Sequence, residues 1–247
     1  LFVDGAIGGR TALLREPYHD ATQTVGMAIH SSDGLEQLVA AARQAGFPIA
    51  AHAIGDGAAD LLLTALEKHR LPAASMLPDR FIHAQVLDGG LVERMSQLHL
   101  IADIQPRFVV SDFPWVLERV GPNRREFLYA WRKLMQAGIP CAGGSDAPIE
   151  PLDPLLGLHA AVTRRKPEES HEGYIAEEKL SLSEALSLFS TGGAVAAGEI
   201  EERGVIQQGY RADFTVLDRE LLHEAPDELL KARVQMTIVN GVMAYQA

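Results

Sequence analysis

Short apolar segments, each ending on a polar residue and each followed by a turn and a helical stretch, recur along this chain and restrict what it can fold into. His52 closes the run 47–51, His83 closes Arg80-Phe81-Ile82, and Asp146 ends Gly143-Gly144-Ser145 just ahead of Ala147-Pro148. Such a repeat reads as a β/α barrel, whose strand ends converge on one mouth. His52 and His83 lie 31 residues apart, about one repeat, and His83 and Asp146 lie 63 apart, about two. The strand 100–105, ending at Gln105, falls between them.

Two imidazoles and a carboxylate at one mouth suit zinc or a similar divalent metal. Such an ion lowers the pKa of water toward neutrality and polarises a carbonyl, while Asp146 could bind it and take the proton from that water. A plainer reading stays open, in which each histidine is a hydrogen-bonded structural residue and Asp146 a turn residue. Asp56, in His52-Ala53-Ile54-Gly55-Asp56-Gly57, is either the N-cap of the next helix or a partner that fixes the tautomer of His52. Asp4, Arg10 and Gln105 fall near the same mouth and are candidate substrate contacts; for Arg10 a loop salt bridge is the alternative. His159, among Leu155, Leu158 and Val162, reads as packed, and Cys141, inside a strand, as a poor nucleophile.

The pattern predicts helices at 31–46, 57–70, 91–98, 125–137 and 154–163, and strands at 47–52, 80–85, 100–105 and 139–145. Asp33 with Glu36 looks like a capping box, as does Ser181 with Glu184 ahead of a last helix. The connection 106–123, with prolines and Trp115, reads as a long loop, and the polar stretch 164–179 as exposed and mobile. After Gly198 the period changes to two. Segment 213–218 alternates, and 234–245 reads as a hairpin turning at Asn240-Gly241. The expected fold is therefore α/β: a partial (β/α)8 TIM-type barrel, about strands 4–8, over residues 1–198, and a β-rich segment of a sandwich over 199–247. About five βα units are counted where a closed barrel has eight, and the chain opens without Met inside an apolar strand. It reads as a fragment whose first units lie upstream.

A formal net charge of −11, with no basic stripe, argues against nucleic-acid and anionic-membrane partners and leaves a small-molecule substrate. The single cysteine rules out an internal disulfide and suits a reducing cytoplasm. Open strand edges in a partial barrel would invite self-association into a homo-oligomer.

At these residues the chain resembles the amidohydrolase superfamily, in its family-3 branch of metal-dependent hydrolases related to N-substituted formamide deformylases. The matching stretches are Phe2-Val3-Asp4-Gly5 with Arg10-Thr11, Ala51-His52-Ala53-Ile54-Gly55-Asp56, Phe81-Ile82-His83-Ala84-Gln85, Gly143-Gly144-Ser145-Asp146-Ala147-Pro148 and Gly209-Tyr210-Arg211-Ala212-Asp213-Phe214. The resemblance implies that His52 and His83 match the metal-binding histidines of strands five and six. It likewise implies that Asp146 matches the strand-eight aspartate, both ligand and general base, and that the tail is the second part of a sandwich built from both chain ends. The family's His-x-His pair on strand one has no counterpart here, and its strand-four ligand would fall just before Leu1.

The implied function is hydrolysis of a non-peptide carbon–nitrogen bond, amide or formamide-like, using a divalent metal, with zinc foremost and one or two ions in the complete protein. With half of the ligand set, this chain alone is expected to bind metal weakly and turn over little. The alternative is a regulatory or binding protein, akin to regulators of exoenzyme production, that keeps the fold and has lost catalysis.

Overall fold

The computed structural model describes residues 1–72 and 75–247. In chain order it contains α1 (Ser32–Gln44), β1 (Ala50–Ala53), α2 (Asp56–Lys68), β2 (Asp79–His83), α3 (Gly89–Ser96), β3 (Leu100–Ile104), α4 (Pro106–Asp112) and α5 (Trp115–Val120). There follow α6 (Trp131–Gln136), β4 (Cys141–Gly143), α7 (Pro154–Thr163), α8 (Leu182–Leu188), α9 (Thr191–Ala196), β5 (Phe214–Leu217), β6 (Val234–Val239) and β7 (Val242–Gln246). Strands β1 to β4 form one sheet in chain order, and β5 to β7 a separate sheet. β1 pairs with β2, and β2 with β3, in parallel. The chain start adds a further stave beside β1. Phe2 makes a parallel bridge to His52, Val3 N–H donates to His52 O, and His52 N–H donates to Leu1 O.

The chain divides into two compact units, the first of residues 1–104 and 111–141, the second of residues 105–110 and 142–247. In the first, alternation of strand and helix is forced by burial. Ala51, Ala53, Phe81, Ile101 and Ala102 are fully enclosed, as are Leu62 and Leu63 of α2. α1 starts at Ser31, whose side chain accepts from Gly34 N–H, so the expected Asp33–Glu36 box does not form; Glu36 pairs instead with Lys68. The helix stops at Gly46, with φ +78°, where Gly46 N–H reaches Arg43 O and Phe47 N–H reaches Ala42 O.

Two other expectations fail here. The connection 106–123 is helical rather than a loop. Pro106 is the first residue of α4, where its missing N–H has no partner to lose, and Pro114 is the N-cap of α5. Val116 and Val120 of α5 are buried, as is Phe113 just before it. The helix expected at 125–137 is interrupted instead. A 3-10 turn covers Pro122–Phe127, and the next residues bond to the end of β2. Tyr129, at φ +51°, donates its N–H to Gln85 O, and Leu128 bridges to Val86. Those tertiary bonds outweigh helical propensity, so α6 begins only at Trp131.

In the second unit the Ser181–Glu184 capping box forms in both directions. The hairpin β6–β7 turns at Asn240 and Gly241, with φ of 50° and 77°, the left-handed pair that a two-residue turn needs. The expected change of period near Gly198 corresponds to the passage from α9 into β5. The stretch 164–179 is exposed only in part: Pro167, Glu168 and Ser170 to Glu172 face solvent, while both ends are packed. Arg164 is wholly buried and its Nε donates to Tyr174 O, while Tyr174 N–H returns to Arg164 O. Ile175 and Glu178 are buried as well.

Candidate active site

In the first unit, parallel pairing sets Ala53 opposite His83 and His52 opposite Ile82, an offset of one residue. Paired residues of a parallel sheet share a face, so a regular strand would send His83 away from His52. His83 and Ala84 instead take φ of 81° and 49°. This sparsely populated conformation in two successive side-chain-bearing residues turns the chain at the strand end. The rings then meet edge to face, 4.6 Å between centroids. Phe2 lies against the other side of His52, at 5.1 Å. The expected meeting of the two histidines is thus present, achieved by backbone strain rather than by even spacing.

Asp4 is the residue whose role the sequence did not disclose. It is almost fully buried, and its carboxylate accepts three backbone N–H groups: Leu13 and Gly55 on Oδ2, each at 2.9 Å, and Ile54 on Oδ1 at 3.1 Å. It therefore ties the loop after the first stave to the loop after β1. Asp4 Oδ1 also lies 3.2 Å from His52 Nδ1. The ring nitrogen is not aligned for a hydrogen bond to it, however, and Nδ1 is buried without a hydrogen-bond partner. A short polar residue directly after a strand and before Gly5 is the only signal that could have flagged this clamp.

Asp56 takes neither of its two expected places. The N-cap of α2 is Gly55, and the Asp56 side chain accepts from Arg15 N–H at 2.9 Å, with Arg124 Nε 3.6 Å away. The carboxylate beside His52 is Asp4. Arg10 forms a two-pronged pair with Asp20, at 3.0 and 2.6 Å, the loop salt bridge that the sequence allowed. On β3, Asp103 is buried and pairs with Arg80 at 2.6 Å; its burial raises the carboxyl pKa, opposed by Arg80. Cys141 is buried, and that burial, followed by the Asp103 charge, pushes its thiol up to about 12, which suits an inert side chain.

The second unit holds Gln105 and Asp146. Gln105 is buried and its carbonyl accepts Phe108 N–H, at the start of α4. Asp146 is exposed at φ +54°, its carbonyl accepting Ile149 N–H, in the turn that follows β4. A cleft of about 210 Å³ opens beside that turn, with Arg107, Gly144, Ser145, Leu152 and Phe189 among its walls. Arg107 is held there by Glu150 at 3.2 Å. Gly143 and Gly157 admit the Phe189 ring, since a Cβ on either would stand 2.9 or 2.7 Å from it. His159 is packed as expected, fully buried with Nε2 2.9 Å from Asp227 Oδ1. Among the described residues, no three His, Cys, Asp or Glu side chains gather closely enough to hold a metal ion. The two imidazoles and the unsatisfied Nδ1 fit part of such a site.

A model of the amidohydrolase family matches residues 1–245. The chain belongs to the amidohydrolase family. It is 45% identical over 247 residues to the protein YtcJ of Bacillus subtilis (strain 168), covering 100% of this chain and 46% of that one. To the N-substituted formamide deformylase of Arthrobacter pascens it is 30% identical over 232 residues, covering 92% and 42% respectively. Among solved structures, it superposes on an uncharacterized metal-dependent hydrolase from Pyrococcus horikoshii OT3 with a TM-score of 0.81 and 33% identity, covering 91% of this chain and 45% of that one. The chain thus spans less than half the length of these amidohydrolase relatives.

Proposed function

We propose that this chain carries part of the TIM-type catalytic barrel of a metal-dependent hydrolase that cleaves a carbon–nitrogen bond in a small amide or formamide. The observation that carries the reading is the meeting of His52 and His83 at the ends of neighbouring parallel strands, in a chain of this family. The likeness to a formamide deformylase supports the bond type.

In this reading His52 and His83 hold a divalent ion, zinc foremost. When bound, that ion supplies Lewis acidity, polarising a carbonyl and making water acidic near neutral pH. The remaining work falls to the protein. Asp146, the exposed carboxylate of the turn after β4, takes the proton from the attacking water and passes it to the leaving nitrogen. Arg10 and Gln105 are the proposed substrate contacts. The Arg10–Asp20 pair is partly exposed, so redirecting the guanidinium toward a substrate carbonyl costs little. The strained His83–Ala84 backbone fixes one imidazole before substrate arrives, which lowers the reorganisation that catalysis requires.

Since this chain carries only part of the proposed ligand set, the test is zinc content and hydrolysis of N-substituted formamides by the complete protein that contains it. His83→Ala should lose bound zinc and turnover together. Asp146→Asn should keep zinc on the histidines and lose about 10²-fold or more in rate, as removal of a general base does. A protein that takes up no zinc and hydrolyses no amide would refute the proposal and return the regulatory alternative.

A further inference from the structure

The cleft beside the Asp146 turn lies wholly within the second unit, and Arg107 is the one cationic side chain in its wall. Most of that side chain is covered, with 18% exposed. A guanidinium carries five N–H donors in a planar fork. Arg107 Nε donates to Glu150 Oε2 at 3.2 Å, a single long bond, and among the described residues the two Nη groups have no protein partner. They are not sealed in, so a ligand entering the cleft can reach them. Neither acidic neighbour answers them. Glu150, itself buried, takes only the Nε edge and so holds the fork in one orientation. Asp153 is engaged as the N-cap of α7, its Oδ1 accepting Leu155 N–H.

A planar carboxylate is the acceptor that matches such a free edge, through two parallel charge-assisted bonds. We infer that Arg107 takes a carboxylate of the substrate across its two Nη groups, which makes that substrate an N-acyl or N-formyl amino acid. The inference rests on the hydrolase reading above and names its substrate class. Ser145, on the same wall, directly precedes Asp146, the proposed base, so the carboxylate and the scissile bond must lie a few bonds apart, as they do in that class. Phe189 and Leu152 offer apolar surface to the side chain. A cavity of about 150 Å³ holds a benzene ring, so the observed cleft of about 210 Å³ has room for a carboxylate and a short carbon stem.

The experiment compares N-formylalanine with N-formylalaninamide, its neutral counterpart, on the complete protein that contains this chain. N-formylalanine should bind more than about tenfold tighter by calorimetry and show a kcat/KM higher by at least as much, the worth of a two-pronged charged pair. Arg107→Gln should bring that ratio close to one, whereas a purely structural Arg107–Glu150 pair would affect both substrates alike and leave the ratio unchanged, overturning the inference. Should that variant not fold, Arg107→Lys keeps a charge for Glu150 but not the planar fork, and the ratio should again collapse. Hydrolysis of both compounds at equal kcat/KM refutes the Arg107 assignment and leaves the hydrolase reading standing. Selective binding of N-formylalanine with no hydrolysis of either refutes the hydrolase reading, and with it the substrate class, while Arg107 remains a carboxylate site.

Discussion

The smallest features of this molecule carry most of its local stability. Asp4 is the clearest case, since its buried carboxylate is the partner of three backbone N–H groups from two loops. Asp4→Ala strands those donors, and each unsatisfied buried group costs about 1–3 kcal/mol. A loss of about 3 kcal/mol or more is expected, read as a lower urea midpoint at unchanged slope. A shift below about 1 kcal/mol would mean that water reaches these groups and that the clamp is not one. Cys141 supplies a second check at this scale. Burial, with Asp103 nearby, raises its thiol to about 12, so the reactive thiolate is scarce at pH 8. Alkylation should be slow in the native protein and fast in denaturant; rapid labelling without denaturant would contradict the packing around β4.

Among the elements, what could be read in advance divides along a physical line. Helices α1 and α7, strands β2 and β3, the Ser181–Glu184 cap and the Asn240-Gly241 hairpin follow from local pattern and turn chemistry, and they are present. The misreadings occur where a distant partner decides. Leu128 and Tyr129 leave the helix to bond with Val86 and Gln85, and no local pattern announces that. Pro106 and Pro114 lie in the connection that reads as a long loop, yet each sits at a helix start, where proline is tolerated. Asp4 was legible only as a candidate substrate contact; its role as a clamp on backbone N–H groups was not, because those partners lie 9, 50 and 51 residues away. The start of α2 shows the same long-range logic. Leu13 O accepts the N–H groups of Gly57 and Ala58, the first shared with Asp56 Oδ1, so a loop carbonyl helps to cap the helix. Gly55 permits that approach, because a Cβ there would stand 1.9 Å from Leu13 O. Gly55→Ala should therefore displace the 11–15 loop and destabilise the protein by about 2 kcal/mol or more. A melting temperature within a degree of wild type would show that the loop yields freely.

At the scale of the whole molecule, acidity is the controlling variable, because the chain carries a formal charge of −11 and spends many carboxylates on cations. Asp20 is held below its ordinary range chiefly by Arg10, Glu36 by Lys68, Glu67 by Arg94, and Asp227 by Arg165 and then His159. A carboxyl with a lowered pKa in the folded state binds fewer protons there than in the unfolded chain, so its contribution is complete above the unfolded value of about 3.9–4.3. It is lost as pH falls through the lowered folded value. Asp103, raised by burial, works in the opposite sense but stands against several. Stability should therefore hold between about pH 5 and 7 and fall steeply below about pH 4, with the unfolding midpoint as the measure. The pairs are largely exposed and individually weak, so 1 M salt should flatten that fall, as screening shortens the Debye length to about 3 Å. Asp227→Asn isolates one contribution. It removes the charge, and one of the two acceptor oxygens, that buried His159 and Arg165 share, Arg165 bonding them at 2.9 and 2.8 Å. The variant should lose stability at pH 7 and show a shallower acid dependence than wild type, converging with it near pH 2. Parallel curves at all pH values would mean that the Asp227 charge plays no part in holding the segment 226–231 beside α7.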